Sequence, residues 1–365
     1  MLVRTSTWGV LYVRDGRLVW DDYLTHRRWP LAAGTERLLR LFARLRPLDD
    51  AGEMSGDPKL RERWRVVAAE LLDAEILVAE HSARDRLERR LQPWQEWGRT
   101  VPAMHFATRV LRDSPVAPLE VQEGRLRAQL GSGLVPPPAF RRPAGGPRVS
   151  LPPASPPHVD FSEVLRRRRS RRVFGSRPIS LDVLATLLRL AGGRVDAEAG
   201  EPLQEHQTVF KTSPSGGGRH PTELYPVVRQ VDGVAPCTYR YDGGEHALER
   251  VGPELDGRAL VELCGDQPWV GDSQLVLFYT SYLPRHRWKY RSDRGYRILL
   301  LDAGHLSQTV YLLATALGLR MTFIAAIRDE LVEEALGVDP GVEFVVGCAV
   351  IGTSPVIPAT APPAR

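Results

Sequence analysis

Between residues 131 and 158 the chain reads GSGLVPPPAFRRPAGGPRVSLPPASPPH, with nine prolines and four glycines in 28 residues. Proline locks φ and has no N–H to donate, and glycine adds backbone entropy. Neither a helix nor a central strand can run through such a stretch, which reads as a semi-rigid linker. It divides the 365 residues into an N-terminal part (1–130) and a second domain (159–355), followed by a proline-rich tail over 356–365. Each main part is long enough to bury a core of its own.

Hydrophobic residues at 43% and charged residues at 25% place the chain among globular proteins. Cys237, Cys264 and Cys348 lie far apart, with no CxxC pair, which argues against a disulfide framework and a structural zinc site and for a reducing, cytoplasmic setting. The first residues, MLVRTSTWGVLYVRDG, hold no long apolar run of the kind a signal peptide needs. The most apolar stretch, ILLLDAGHLSQTVYLLATALGL (298–319), is interrupted by Asp302, His305, Ser307 and Gln308. It is therefore expected as a helix in a core or subunit interface, and no membrane span is expected. Net charge is +5 with a pI near 9.3, but the arginines are scattered among acids, so solvated faces are expected and no nucleic-acid partner.

In the N-terminal part, WGVLYVRDGRLVW joins two alternating runs through Asp15-Gly16, a hairpin signal. TERLLRLFARL (35–45) and KLRERWRVVAAELLDAEILVAE read as amphipathic helices, the second running into a short strand at ILVAE. Hairpin, helices and strand suggest a small winged-helix-like module, which either binds a leader peptide or partner along a strand edge or merely covers the second domain. In the second domain, FSEVLRRRRSRRVF begins as a helix. SLDVLATLLRLAGG is a helix capped by Ser180 and stopped by Gly192-Gly193. Strands are expected around TELYPVVRQV, CTYRYD, SQLVLFYTSY and EFVVGCAVIG, with helices at 298–318 and RDELVEEALG. This irregular mixture predicts an α+β domain with an antiparallel or mixed sheet.

Only Lys59, Lys211 and Lys289 are lysines; the other 46 basic residues are arginine. A lysine kept in WKYRSDRGYR (288–297) is therefore a candidate for what a guanidinium cannot do, namely give up its proton and act as a base. Arg287 and Arg291 flank it, and like charges favour the neutral amine. Two further stretches carry chemistry. RRSRRVF (168–174) offers bidentate donors suited to a phosphate. KTSPSGGGRHPTELY (211–225) has three glycines that let the backbone approach a flat ligand. The loop is neither a Walker A sequence nor GxGxxG, and no HxH, HExxH or Cys/His spacing predicts a metal site. His305 is expected to pack or cap within its helix, His220 lies in the glycine loop, and Cys264 reads as a small buried helix residue.

In this order, these motifs resemble the FMN-dependent nitroreductase superfamily over about residues 160–353. SPSGGGRHPTELY and the later WKY are similar to the SagB-type azoline dehydrogenases of thiazole/oxazole-modified peptide biosynthesis. The resemblance implies a nitroreductase-like FMN domain, usually homodimeric, in which Arg168, Arg169, Ser170 and Arg172 hold the phosphate and the N1–O2 edge. Ser213, Pro214, Ser215, Gly216 and Gly217 would line the isoalloxazine. Ala325 and Ala326, in FIAAI, stand where an acidic–glycine pair is common and where backbone approaches N5. Lys289 and Tyr290 match the pair to which the family assigns proton removal, although adjacent residues of a regular element would not face the same way. The activity implied is oxidation of a peptide's azolines to azoles, with an azoline-containing precursor peptide and a cyclodehydratase complex as partners. A generic NAD(P)H-dependent nitro/quinone reductase, or a non-catalytic peptide-binding partner of a cyclodehydratase, are the alternatives.

Overall fold

A computed structural model describes residues 1–115, 118–195 and 209–355, so the expected tail lies outside the described residues. The chain forms two units that divide at Val116/Ala117, ahead of the expected boundary near residue 130.

In the first unit, β1 (Leu2–Thr5) is followed by a meander of β2 (Gly9–Arg14), β3 (Arg17–Asp22) and β4 (Arg27–Leu31). Asp15 and Gly16, at φ 50° and 73°, turn the hairpin as the Asp-Gly pair predicts. Then come α1 (Thr35–Leu41), β5 (Arg46–Pro47), α2 (Pro58–Asp73), β6 (Leu77–Ala79), α3 (Ala83–Leu91) and α4 (Thr100–Ala107). Strands β5, β1 and β6 form a second small sheet. Leu38 and Leu39 of α1 and Ala68 and Leu71 of α2 bury against Val3, Trp20 and Leu77. Beside this core, the buried Arg84 pairs with Asp22 and Glu88 at 2.7 and 2.9 Å.

The second unit holds α5 (Leu119–Gly131), β7 (Arg148–Ser150), α6 (Phe161–Arg167), α7 (Leu181–Gly192), β8 (Thr222–Val228), β9 (Cys237–Asp242) and β10 (Ala247–Gly252). It continues with α8 (Gly257–Leu263), β11 (Leu275–Tyr282), α9 (Leu283–Arg287), α10 (Gly295–Ala316), β12 (Leu319–Ile324), α11 (Asp329–Leu336) and β13 (Glu343–Thr353). Its sheet runs β12-β13-β11-β8-β9-β10-β7, antiparallel between every neighbouring pair. In β11, Leu275, Leu277 and Tyr279 enter the core with Leu184 and Leu187 of α7 and Val310 of α10. Val276 and Phe278 enter the opposite core with Leu260 of α8 and Val332 of α11. Helices on both faces explain why LVLFYTSY lacks the polar alternation of a half-exposed strand. Pro226 is tolerated inside the sheet because β9 meets β8 only at Val227 and Val228, beyond the proline.

The Pro/Gly-rich segment is an arm laid along the second unit, where a spacer was expected. β7 extends the sheet, and Leu151 is buried in its core. The Pro138 carbonyl accepts from Arg285 Nε at 3.1 Å, and Arg141 bonds Glu343 and, at 3.1 Å, the Tyr225 hydroxyl. Proline forbids internal hydrogen bonding but leaves carbonyls to accept from the body of the unit.

Candidate active site

Helix α10 is the spine of the site. Its polar residues 302, 305 and 309 lie on one face by helical spacing, and the loop 213–216 runs antiparallel along them. Asp302, buried, accepts from Ser215 Oγ at 2.7 Å and from the Gly216 N–H at 3.0 Å. His305 Nδ1 meets the Pro214 carbonyl at 3.3 Å, and the Thr309 and Ser213 hydroxyls are 2.7 Å apart. Toward the end of the helix, Tyr311 OH lies 3.0 Å from Ser170 Oγ and accepts from the Phe323 N–H at 2.8 Å. One helix thus anchors the basic segment, the glycine loop and the strand that leads to Ala325 and Ala326.

The glycines are required by what crosses them. A Cβ on Gly216 would sit 2.5 Å from Ile298 and 3.5 Å from the Tyr290 hydroxyl. On Gly217, which has φ 58°, it would sit 2.5 Å from Lys289 Nζ. Lys289 and Tyr290 therefore both face the loop. They can do so because α9 ends at Arg287 and the chain leaves it in a turn, with the N–H groups of both residues donating to the His286 carbonyl. The Lys289 ammonium is exposed and lies 5.9 Å from the centroid of the Tyr290 ring.

Tyr290 stacks on buried His286 at 4.9 Å. Burial pushes the Tyr290 phenol up, the Asp302 charge adds to this, and Arg219 opposes it. Burial also pushes His286 down, against the Gly295 carbonyl that Nε2 meets at 2.9 Å, so this ring is neutral and Nε2 carries the proton. The site therefore offers a protonated phenol beside an accessible lysine side chain.

Of the basic residues, Arg168 lies over the Tyr311 ring at 5.3 Å and Arg172 over Trp269 at 5.7 Å. Among the described residues neither has a carboxylate partner. The free N–H groups of Arg168, with Ser170 Oγ, suit the FMN phosphate, whereas Arg172 is directed to Trp269, which packs on the opposite core of the sheet. Arg169 turns elsewhere, donating to the Arg166 and Arg168 carbonyls at 2.9 and 2.8 Å. Ala325 and Ala326 are exposed after β12. The basic segment is zipped to β12 by Arg171 N–H to Met321 O and Thr322 Oγ1 to Arg171 O. Within one chain, Lys289, Tyr290 and the loop gather near Ile298, whereas Arg168 and Ser170 gather at Tyr311. These groups are roughly 20 Å apart along the helix axis.

Asp302, Thr309 and Tyr311 were not singled out from sequence, although polar positions at helical spacing inside an apolar helix are a usable signal. Lys211 was also passed over. It lines a small cleft with Ser213, Ser215, His220 and Asp302. Although the residue as a whole is only half-buried, its ammonium is enclosed, 4.8 Å from the Phe140 ring of the arm. Burial pushes it down to about 8, Glu223 opposing and Arg285 assisting. Burial and the Lys211 charge push His220 down to about 4, and its Nε2 meets the Val209 carbonyl at 3.1 Å.

The sign of the pH effect follows. Below about 8 the Lys211 amine is charged in both folded and unfolded chains. Between there and the ordinary lysine range only the unfolded chain holds the proton, so the folded state gains as pH rises. Urea midpoints of wild type minus Lys211→Met should therefore climb from about pH 8 to 10. Parallel curves would show that the amine is solvated.

Residues 165–353 match the model of the nitroreductase family. The nitroreductase homologue MJ1384 of Methanocaldococcus jannaschii is 34% identical over 178 residues, 49% of this chain and 84% of its own length. The trifolitoxin-processing protein TfxB of Rhizobium leguminosarum bv. trifolii is 29% identical over 179 residues, 47% of each chain. A nitroreductase-like crystal structure from Anabaena variabilis aligns with 25% identity and a TM-score of 0.47, covering 58% of this chain and 42% of that one. The chain thus spans about half the length, or less, of the second and third of these relatives.

Proposed function

The chain belongs to the nitroreductase family, and we propose that it is an FMN-dependent azoline dehydrogenase of SagB type, oxidising thiazoline or oxazoline rings of a ribosomally made peptide to azoles. The observation that carries this reading is the placement of Lys289 and Tyr290 across Gly216 and Gly217, on the loop expected to line the flavin. Ring oxidation removes a proton from the former Cα and a hydride from the adjacent ring carbon. When bound, FMN supplies the hydride acceptor. The Lys289 amine accepts the proton and becomes an ammonium that the exposed position can solvate. Tyr290, its phenol pushed up, keeps its hydrogen and orients the ring as a donor. In this reading the two residues have separate roles, so neighbours in sequence can serve one reaction.

Arg168 and Ser170 hold the phosphate, Ser213, Pro214 and Ser215 line the ring, and the backbone of Ala325 and Ala326 approaches N5. Exposed Tyr296, Leu300 and Leu301 give α10 an apolar face for a homodimer, which would set the loop of one protomer beside the basic segment of its partner. The N-terminal unit is taken as the winged-helix-like module that binds leader peptide or a cyclodehydratase. The likeness to a protein named for trifolitoxin processing supports a peptide substrate. Among the described residues no helix is long and apolar enough to cross a membrane; a cytoplasmic location is part of this proposal.

A second reading, a generic NAD(P)H-dependent nitro or quinone reductase, is favoured by the match to MJ1384, a nitroreductase homologue that aligns with 49% of this chain. FMN-loaded protein given an azoline peptide should remove one pair of hydrogens per ring by mass spectrometry. Failure to do so, with rapid flavin bleaching by NAD(P)H, would establish the second reading. Protein purified without flavin, and unable to take it up, would leave only a non-catalytic peptide-binding role.

A further inference from the structure

A groove of about 360 Å³ opens beside the basic segment, lined by Arg166, Arg167, Arg169, Arg171 and Arg320 with Ser354 at its rim. Among the described residues, Glu163 is the only carboxylate that pairs with any of the five, bonding Arg166 and lying 3.9 Å from Arg167. The chain's formal excess is +5, and this one groove holds five guanidiniums against a single acid. Backbone carbonyls orient two of them without neutralising them. Arg169 donates to the Arg166 and Arg168 carbonyls, and Arg320 donates to Val173 O at 2.9 Å. Each keeps N–H groups for an outside acceptor.

We infer that this groove is a second binding site, separate from the flavin's, for an acidic stretch of peptide. Three features select that ligand. Arg168 and Ser170 contact Tyr311 and do not line the groove, so of the residues assigned to the flavin only Arg169 is shared with it. Thr315 and Gly318 put the carbonyl end of α10 at the groove, and a compact phosphate is usually held by helix N-termini and backbone N–H groups. No aromatic ring lines it for a base to stack on. Several carboxylates spaced along an extended chain match an open row of guanidiniums, and complementary charge governs capture rate and partner choice. That the peptide is the enzyme's own substrate rests on the dehydrogenase reading; the groove's chemistry does not.

The test uses FMN-loaded protein and a fluorescein-labelled peptide of five Glu-Ser repeats, followed by anisotropy at low and physiological salt. Wild type should bind, more weakly in salt. Arg171→Glu/Arg320→Glu should weaken binding about tenfold or more, Arg171→Gln/Arg320→Gln less, and Arg258→Glu on α8 not at all. Unchanged binding in both double variants overturns the site. So does loss of FMN from the glutamine pair, which would make the groove the cofactor's phosphate site. Displacement by inorganic phosphate well below the concentration at which chloride acts at equal ionic strength, or by an oligonucleotide below that of unlabelled peptide, also overturns it. No turnover is required, so a protein that binds the probe without oxidising azolines retains the groove and refutes the dehydrogenase reading.

Discussion

Lys289→Ala should slow azoline oxidation by about 10²–10⁴-fold, the range a positioned general base contributes, while FMN stays bound. The flavin is expected to remain because no assigned phosphate or ring contact uses this side chain. Lys289 rests over Gly217 and is exposed at its ammonium. Lys289→Arg should fail nearly as completely, since a guanidinium does not release its proton to become a base. Tyr290→Phe should cost less, because it removes a donor and leaves the stacking on His286 in place. The checks are mass-spectrometric turnover and the flavin absorbance of each variant. If Lys289→Ala oxidises as fast as wild type, the retained lysine is an accident of composition and the base lies elsewhere. In that event Lys211, the other amine near the loop, is the first alternative to substitute.

The parts legible from sequence were those in which a local pattern and its tertiary role coincide. SQLVLFYTSY reads as a strand buried on both faces, and helices cover both faces of β11. Ser180 caps α7 as expected, accepting from the Val183 N–H. The loop glycines were legible as a place of close approach, but not what approaches them, because Lys289 is over 70 positions away. β10 and β12 escaped because Glu249, Arg250 and Arg320 break their apolar runs, and ladder bonds rather than pattern hold them in the sheet. The arm escaped for the converse reason: proline density predicts the absence of helix but says nothing of where freed carbonyls will bond. Arg168 and Arg169 read alike, because a run of arginines in sequence does not reveal that one will lie over Tyr311 and the other bond the Arg166 and Arg168 carbonyls.

Arg285→Ala should cost about 3–5 kcal/mol by urea unfolding, the range for removing one partner of a buried ion pair. Arg285 is essentially inaccessible and bonds Glu223 Oε1 at 2.6 Å. Its other donors reach the His220 carbonyl at 2.6 Å and the Pro138 carbonyl at 3.1 Å. One guanidinium thus ties α9, the end of the glycine loop and the arm to a strand of the central sheet. Removing it strands the Glu223 charge in a buried position and takes a donor from the His220 and Pro138 carbonyls. The double variant Arg285→Ala/Glu223→Ala should recover part of the loss, because the orphaned charge goes with it. Glu223→Gln should cost less than Arg285→Ala, since an amide oxygen can still accept. A loss below about 1 kcal/mol for Arg285→Ala would mean that water replaces the side chain; the segment carrying Lys289 would then owe its position to the His286 turn alone.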